Sequence, residues 1–192
     1  MSIKSKFYKY RRIASPKVLP EFVYRMDDRP VAVVKLNGLQ AKGFRTDGAP
    51  GQFGPAAPEV TLIEHVKKTK DKTGVCINPV DPWVSFFAWN ALQPISDATL
   101  RFMQGYLNGR VYMVDTATVV AKGYNFRYAN EEFDLKERRS EGAQYRGQKE
   151  WSFYGTVPAA SIRFFLPVPV LMERLLNGTS APAPMTLPWT GM

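Results

Sequence analysis

Val23-Tyr24-Arg25-Met26-Asp27-Asp28-Arg29-Pro30 is the stretch from which the rest of the chain is read. Phe22 to Met26 has the composition of a short strand, and Asp27-Asp28-Arg29-Pro30 stops it, because aspartate favours turns and proline cannot donate to a ladder. Arg25 therefore follows directly on an aromatic strand, an unusual place for a guanidinium without an anionic partner. Its planar fork suits a diphosphate. A salt bridge to Asp27, Asp28 or a distant acid is the plainer alternative. Arg29 is placed to serve the same anion or to stabilise the turn.

Working outward, further strands are expected at Trp83–Phe87, Arg110–Asp115, Lys149–Phe153 and Ser161–Val168. Leu62, Ile63 and Val66 at helical spacing, with Glu59 near the start, predict a short helix over 61–68. Ser96-Asp97 opens a second helix carrying Leu100, Phe102, Met103 and Leu107, with Asn108-Gly109 as its stop. Residues 43–58 hold four glycines and three prolines and read as a loop. The polar run 127–147 reads as a surface loop, with room for a helical turn. Residues 155–160 read as a turn, 1–18 as a basic lead-in and 177–192 as a loosely held Pro-rich tail. The folded domain is placed at 19–176.

With 192 residues, 45% of them hydrophobic, the chain suffices for one domain with a real core. Its 15 prolines and 14 glycines argue against long helices and for a mixed or strand-rich fold. The excess of 26 Lys+Arg over 17 Asp+Glu gives +9, which suits nucleic acid, acidic partners or an anionic membrane surface, or solubility alone. Part of it is local, in Lys4, Lys6, Lys9, Arg11 and Arg12, and again in Lys67, Lys68, Lys70 and Lys72. Cys76 is the only cysteine, so an internal disulfide is excluded. With His65 the only histidine, no metal is expected. The first residues lack an apolar core after the basic run, so no signal peptide is expected, and no stretch is long and apolar enough to span a bilayer. Phe164–Leu176 is interrupted by Pro167, Pro169, Glu173 and Arg174.

The chemistry-bearing pair is Gln148 and Glu150 in Gln148-Lys149-Glu150-Trp151-Ser152-Phe153. Alternate residues of a strand point the same way, which sets an amide beside a carboxylate. A carboxylate beside an oxocarbenium-like sugar lowers the barrier to glycosidic cleavage. It also accepts from a ribose hydroxyl and so fixes the sugar. An ordinary solvent-facing pair on an edge strand is the alternative. His65, on the expected helix, is either a satisfied core histidine or a group that binds a ribose hydroxyl or moves a proton near neutral pH. Ser85, within Trp-Val-Ser-Phe-Phe, either caps a backbone group or bonds across to Glu150.

Taken in order, these segments resemble the mono-ADP-ribosyltransferase toxin family of the cholera and pertussis toxin catalytic subunits, and its pierisin- and scabin-like members. Val-Tyr-Arg25-Met-Asp-Asp-Arg29-Pro is similar to the family's opening Tyr-Arg-x-Asp-x-Arg-Pro motif. Leu-Ile-Glu-His65-Val resembles its histidine-bearing helix, and Trp-Val-Ser85 its Ser-Thr-Ser strand. Arg-Val-Tyr-Met-Val-Asp115 resembles the strand that follows, and Gln148-Lys-Glu150-Trp-Ser-Phe-Tyr-Gly-Thr-Val-Pro158 the last motif. The matches span residues 22–165. The resemblance implies an α+β fold of two mostly antiparallel sheets packed at an angle, with small flanking helices and NAD in the cleft between the sheets.

It further implies an NAD-dependent enzyme of the glycosyltransferase class, with NAD as substrate, no metal, and nicotinamide as the leaving group. Glu150 would be the catalytic carboxylate, with Gln148 and His65 beside it. Arg25, Arg29, Tyr24, Ser85 and Phe86 would hold the NAD. Tyr145 and Gln148 would meet the acceptor. Phe86-Phe87 stand where the family carries small polar residues, so they either wall the nicotinamide pocket or fill the core. Gln-x-Glu, in place of Glu-x-Glu, turns the expectation from arginine to another acceptor, a different protein side chain or a nucleic acid. A toxin or effector acting in the cytoplasm of a target cell is implied, delivered by a secretion system or within a larger protein. A toxin made inside a bacterium would need an immunity protein. The competing readings are a basic nucleic-acid-binding or interaction module without chemistry, and an NAD glycohydrolase.

Overall fold

The computed structural model describes residues 18–45, 62–67, 81–92, 97–120, 126–136, 149–178 and 182–192. Among these, the strands are β1 (Phe22–Asp27), β2 (Leu39–Gln40), β3 (Trp83–Phe87), β4 (Arg110–Asp115), β5 (Phe126–Tyr128), β6 (Glu150–Tyr154), β7 (Thr156–Val157), β8 (Ile162–Pro167) and β9 (Thr190–Gly191). The helices are α1 (Val31–Asn37), α2 (Leu62–Lys67), α3 (Asp97–Gln104), α4 (Thr116–Val120), α5 (Ala129–Lys136) and α6 (Val168–Leu176). Seven strands form one sheet in the order β5-β6-β3-β1-β4-β8-β9, and β2 and β7 form a second, smaller one. Every pairing is antiparallel. The fold is α+β with two sheets and small helices, as expected.

Strand alternation divides the larger sheet into two faces. Val23, Val84, Phe86, Tyr112, Val114, Trp151 and Phe153 share one core with Val34 of α1, Leu39 of β2 and Val157 of β7. On the opposite face Tyr24, Met26, Val111, Met113 and Leu166 pack with Met103 of α3 and Leu171 and Leu175 of α6. Farther along that second face, Trp83 of β3 packs with Leu62, Ile63 and Val66 of α2 and with Ala129 and Phe133 of α5. The second face thus carries two separate apolar clusters. Between them lie the alternate residues of β3 and β6, namely Ser85, Glu150 and Ser152. The sheet is weakly stitched at this place: β1 and β3 share only the register pair Tyr24↔Phe87, whereas β1 and β4 pair without interruption from Phe22↔Asp115 to Asp27↔Arg110.

Several expectations are corrected. β1 ends at Asp27 as expected, and a helix that was not expected follows Pro30. That proline serves as N-cap of α1, where its fixed φ suits helix entry and no amide donor is lost. The α1–β2 connection requires Gly38, whose φ is 72° and where a Cβ would stand 2.2 Å from the Val157 carbonyl oxygen. The run expected as a polar surface loop begins with β5 and α5, as far as its residues are described, because Ala129 and Phe133 lie four apart and bury against α2. Pro167 does break the apolar stretch, ending β8 and serving as N-cap of α6, whereas Pro169 causes no break and lies within the first turn of that helix. α3 ends at Gln104 and buries Met103, while Phe102 is 55% and Leu107 48% exposed.

The C-terminal segment is tied down rather than loose. β9 pairs with β8, Leu187 is buried, and the indoles of Trp89 and Trp189 donate to the carbonyls of Pro182 and Pro184. No helix among the described residues is long and apolar enough to cross a membrane.

Candidate active site

β3 and β6 pair with Ser85 opposite Ser152 and Phe87 opposite Glu150, which sets Ser85, Ser152 and Glu150 on the same face of the sheet. α2 lies over that face because Leu62, Ile63 and Val66 anchor it to Trp83 and α5. The same helix turns His65 down onto the strands. Its Nε2 stands 2.9 Å from Ser85 Oγ and 3.1 Å from Glu150 Oε1, and its Nδ1 stands 2.5 Å from Asp81 Oδ2. Ser152 donates its hydroxyl to the same Glu150 oxygen at 2.6 Å. His65 and Glu150 are only 6% and 8% exposed.

Arg25 enters from β1. Its Nη1 donates to the Ser85 carbonyl at 2.9 Å and its Nε to Asp27 Oδ2 at 3.1 Å. Ser85 is therefore the link, with its carbonyl holding the guanidinium and its hydroxyl meeting the imidazole. An unbroken line of polar contacts runs Arg25–Ser85–His65–Glu150, across the seam where β1 and β3 are least joined. The Arg25 side chain remains a quarter exposed, at 25%. Arg29 grips Asp27 through Nε and Nη2, each at 2.8 Å, and its side chain is 5% exposed. It thus clamps the carboxylate that orients Arg25.

The electrostatics follow from these contacts. Burial opposes charge on His65, but the hydrogen bonds and charges of Asp81 and Glu150 outweigh it and raise its pKa to about 9. Burial likewise opposes charge on Glu150, yet the bonds from His65, Ser152 and Ser85 hold its carboxyl below the usual value. Burial works against the Asp27 carboxylate too, but the two arginines keep it well below the usual range. Tyr24 is pushed up to about 12 by burial, with Glu21 adding to it.

A pH dependence of stability follows. The raised His65 contributes stability that is fully present below its ordinary value of 6.5 and is lost as pH rises through about 9. The lowered Glu150 contributes above its ordinary 4.5 and is lost as pH falls through its folded value. We expect thermal scans to show Tm falling between about pH 6.5 and pH 9, as the folded state loses stability on the order of 3 kcal/mol, and a flatter profile in His65→Asn. A wild-type Tm that is level across that window would contradict the assignment.

Of the residues singled out in the sequence, the structure brings together Arg25, His65, Ser85 and Glu150. Tyr24 is buried against Phe87, Trp89 and Trp189. Phe86 points to the opposite face, 2% exposed and edge-on to Phe126, so it fills the core and does not line the site. Phe87, facing Glu150 in the register, is the phenylalanine on the site's side. Phe86→Ala is expected to cost about 3–5 kcal/mol in chemical denaturation and Phe87→Ala much less; the reverse ranking would contradict this placement. Gln148 and Tyr145 lie outside the described residues. Asp81 and Ser152 were missed. Ser152 was legible as the same-face neighbour of Glu150, whereas Asp81 lies 16 residues from His65 with no local pattern to mark it.

No protein-family model matches the chain, and no curated protein matches it. Among solved structures, EcPltA is similar at 13% identity over 76% of this chain and 74% of its own, with a TM-score of 0.40. A double mutant of heat-labile enterotoxin is similar at 18% identity over 76% of this chain and 57% of its own, with a TM-score of 0.41. A valine-to-lysine mutant of the E. coli heat-labile enterotoxin gives 18% identity over 84% of this chain and 83% of its own, with a TM-score of 0.40. Likeness at this level does not show a family for this chain.

Proposed function

We propose that this chain cleaves the nicotinamide–ribose bond of NAD and transfers ADP-ribose to a macromolecular acceptor. One observation carries the reading: Arg25, Ser85, His65 and Glu150, spread over four separate segments, join in one line of contacts. These are the residues that the resemblance to ADP-ribosyltransferase toxins marks, and each has the chemistry its role needs.

Arg25 supplies a fixed cation for the diphosphate. Two of its nitrogens are committed to Ser85 and Asp27, which orients the rest of the fork. Glu150 supplies the negative charge that favours an oxocarbenium-like ribose. The carboxylate is largely withdrawn from water and held by donors on one oxygen, so little reorganisation is needed when charge develops. The C1′–N bond breaks with its electron pair going to the pyridinium nitrogen, which leaves as neutral nicotinamide. The acceptor's nucleophile then bonds to C1′ and gives up its proton. No metal enters this chemistry.

The acceptor is proposed as a protein side chain other than arginine, or a nucleic acid, on the strength of Gln148 and of the +9 charge. Incubating the chain with tagged NAD and a cell lysate, followed by mass spectrometry, tests the proposal. Transfer predicts tagged macromolecules together with free nicotinamide. Nicotinamide with only free ADP-ribose would make the chain a glycohydrolase. Neither product would end the enzymatic reading.

A further inference from the structure

Asp81 has no part in the chemistry above, yet it is firmly held beside His65. It precedes β3, is 8% exposed, and has a polar partner at both carboxylate oxygens. Oδ1 takes the Trp83 amide at 3.0 Å and Oδ2 faces His65 Nδ1 at 2.5 Å. Its own carbonyl takes the Gly43 amide at 2.9 Å, which fixes the backbone beneath it.

The proton positions around the ring can be worked out from partners alone. Nδ1 faces a carboxylate already accepting from Trp83, so Nδ1 carries a hydrogen. Nε2 faces Glu150 Oε1, which already accepts from Ser152, so a bare Nε2 would set lone pair against lone pair. Nε2 therefore carries a hydrogen as well. Among the described residues, the other groups packed on the ring do not alter this. β3 contributes the Ser85 hydroxyl, and α5 meets α2 through Ala129 and Phe133, which bear no charge. Arg25 is separated from the ring by Ser85.

We propose that Asp81 is a positioning residue that fixes His65 as a doubly protonated ring, and that this ring acts as a built-in cation holding the Glu150 carboxylate rather than as a proton acceptor. The consequence for catalysis rests on the NAD-cleavage reading above; the ring's charge does not. Asp81 and Glu150 flank one imidazolium, so a single buried cation orients the reacting carboxylate. The raised His65 pKa agrees with this arrangement.

His65 is the only histidine, so its ring signals in a long-range 1H–15N spectrum need no assignment by mutation. In the intact wild-type chain both ring nitrogens are expected to be protonated at about pH 7.5, above the ordinary imidazole range. Asp81→Asn offers one acceptor where two are needed, and is expected to lower the titration midpoint by about one unit or more. The basic limb of kcat for nicotinamide release should move with it, with KM changing less than kcat. A neutral wild-type ring at that pH, or an Asp81→Asn midpoint equal to that of the wild type, would overturn the inference. Should Asp81→Asn fail to fold, the wild-type spectrum decides alone. A chain that releases no nicotinamide but has a charged ring would refute the proposed function and leave the Asp81 assignment standing.

Discussion

Glu150→Gln is expected to slow nicotinamide release from NAD by roughly 10²–10³-fold, the scale of losing one preorganised charge-stabilising group. The amide has the same shape, and its oxygen can still accept from Ser152 and from His65 Nε2. What disappears is the negative charge where the ribose becomes cationic. At about 1.4 kcal/mol per tenfold, that is roughly 3–4 kcal/mol of barrier. The effect should fall on kcat, because the charge matters most in the transition state. Chromatographic measurement of nicotinamide, with circular dichroism to show retained fold, reads the result. A variant within a factor of about two of wild type would remove Glu150 from the chemistry, since no effect on this scale could then be assigned to it.

Arg25→Lys is expected to cost roughly 10–100-fold in kcat/KM, mainly through KM. Lysine keeps the charge and loses the fork. It cannot hold the Ser85 carbonyl and Asp27 from fixed directions while presenting further donors to a diphosphate. Hydrogen bonds to charged groups are worth about 1.5–3 kcal/mol each, which gives the range stated. Arg29→Lys should act differently. Arg29 is buried on Asp27, so its loss should lower Tm as well as weaken NAD binding, whereas Arg25→Lys should leave Tm close to wild type. Steady-state kinetics with thermal scans separates the two. Equal kinetic constants for Arg25→Lys and wild type would count against the diphosphate role.

Much of this was legible in the chain because it is local. The central strands β1, β3 and β4 are runs of β-branched and aromatic residues bounded by turn formers. Glu150 falls where strand alternation sets it beside a polar neighbour, and that neighbour is Ser152; on the other side β6 begins only at Glu150, because Lys149, at φ 48°, is not extended, so the alternation expected through Lys149 is not kept. α2 announced itself through Leu62, Ile63 and Val66. The failures are non-local or concern proline. Pro30 and Pro167 close their segments as expected, but each also leads into a helix and Pro169 lies inside a first turn, and a proline at helix entry looks in sequence like one that only ends a segment. α5 hides among acids because only Ala129 and Phe133 need be apolar where it meets another short helix. The final residues read as a tail because pairing of β9 with β8 and the seating of Trp189 on Tyr24 depend on partners far away in sequence. Phe86 and Phe87 could not be told apart until the register fixed which one shares a face with Glu150. Asp81 became visible only once α2 was laid over β3.

The central claim is that Arg25, Ser85, His65 and Glu150 form one NAD site. The most direct test is a titration of NAD into the slow Glu150→Gln variant, followed at the ring signals of His65, the sole histidine. Saturable shifts of those signals that vanish when Arg25→Ala is added are the predicted result. Ring signals that stay unmoved by NAD at concentrations where the wild-type chain turns it over would contradict it.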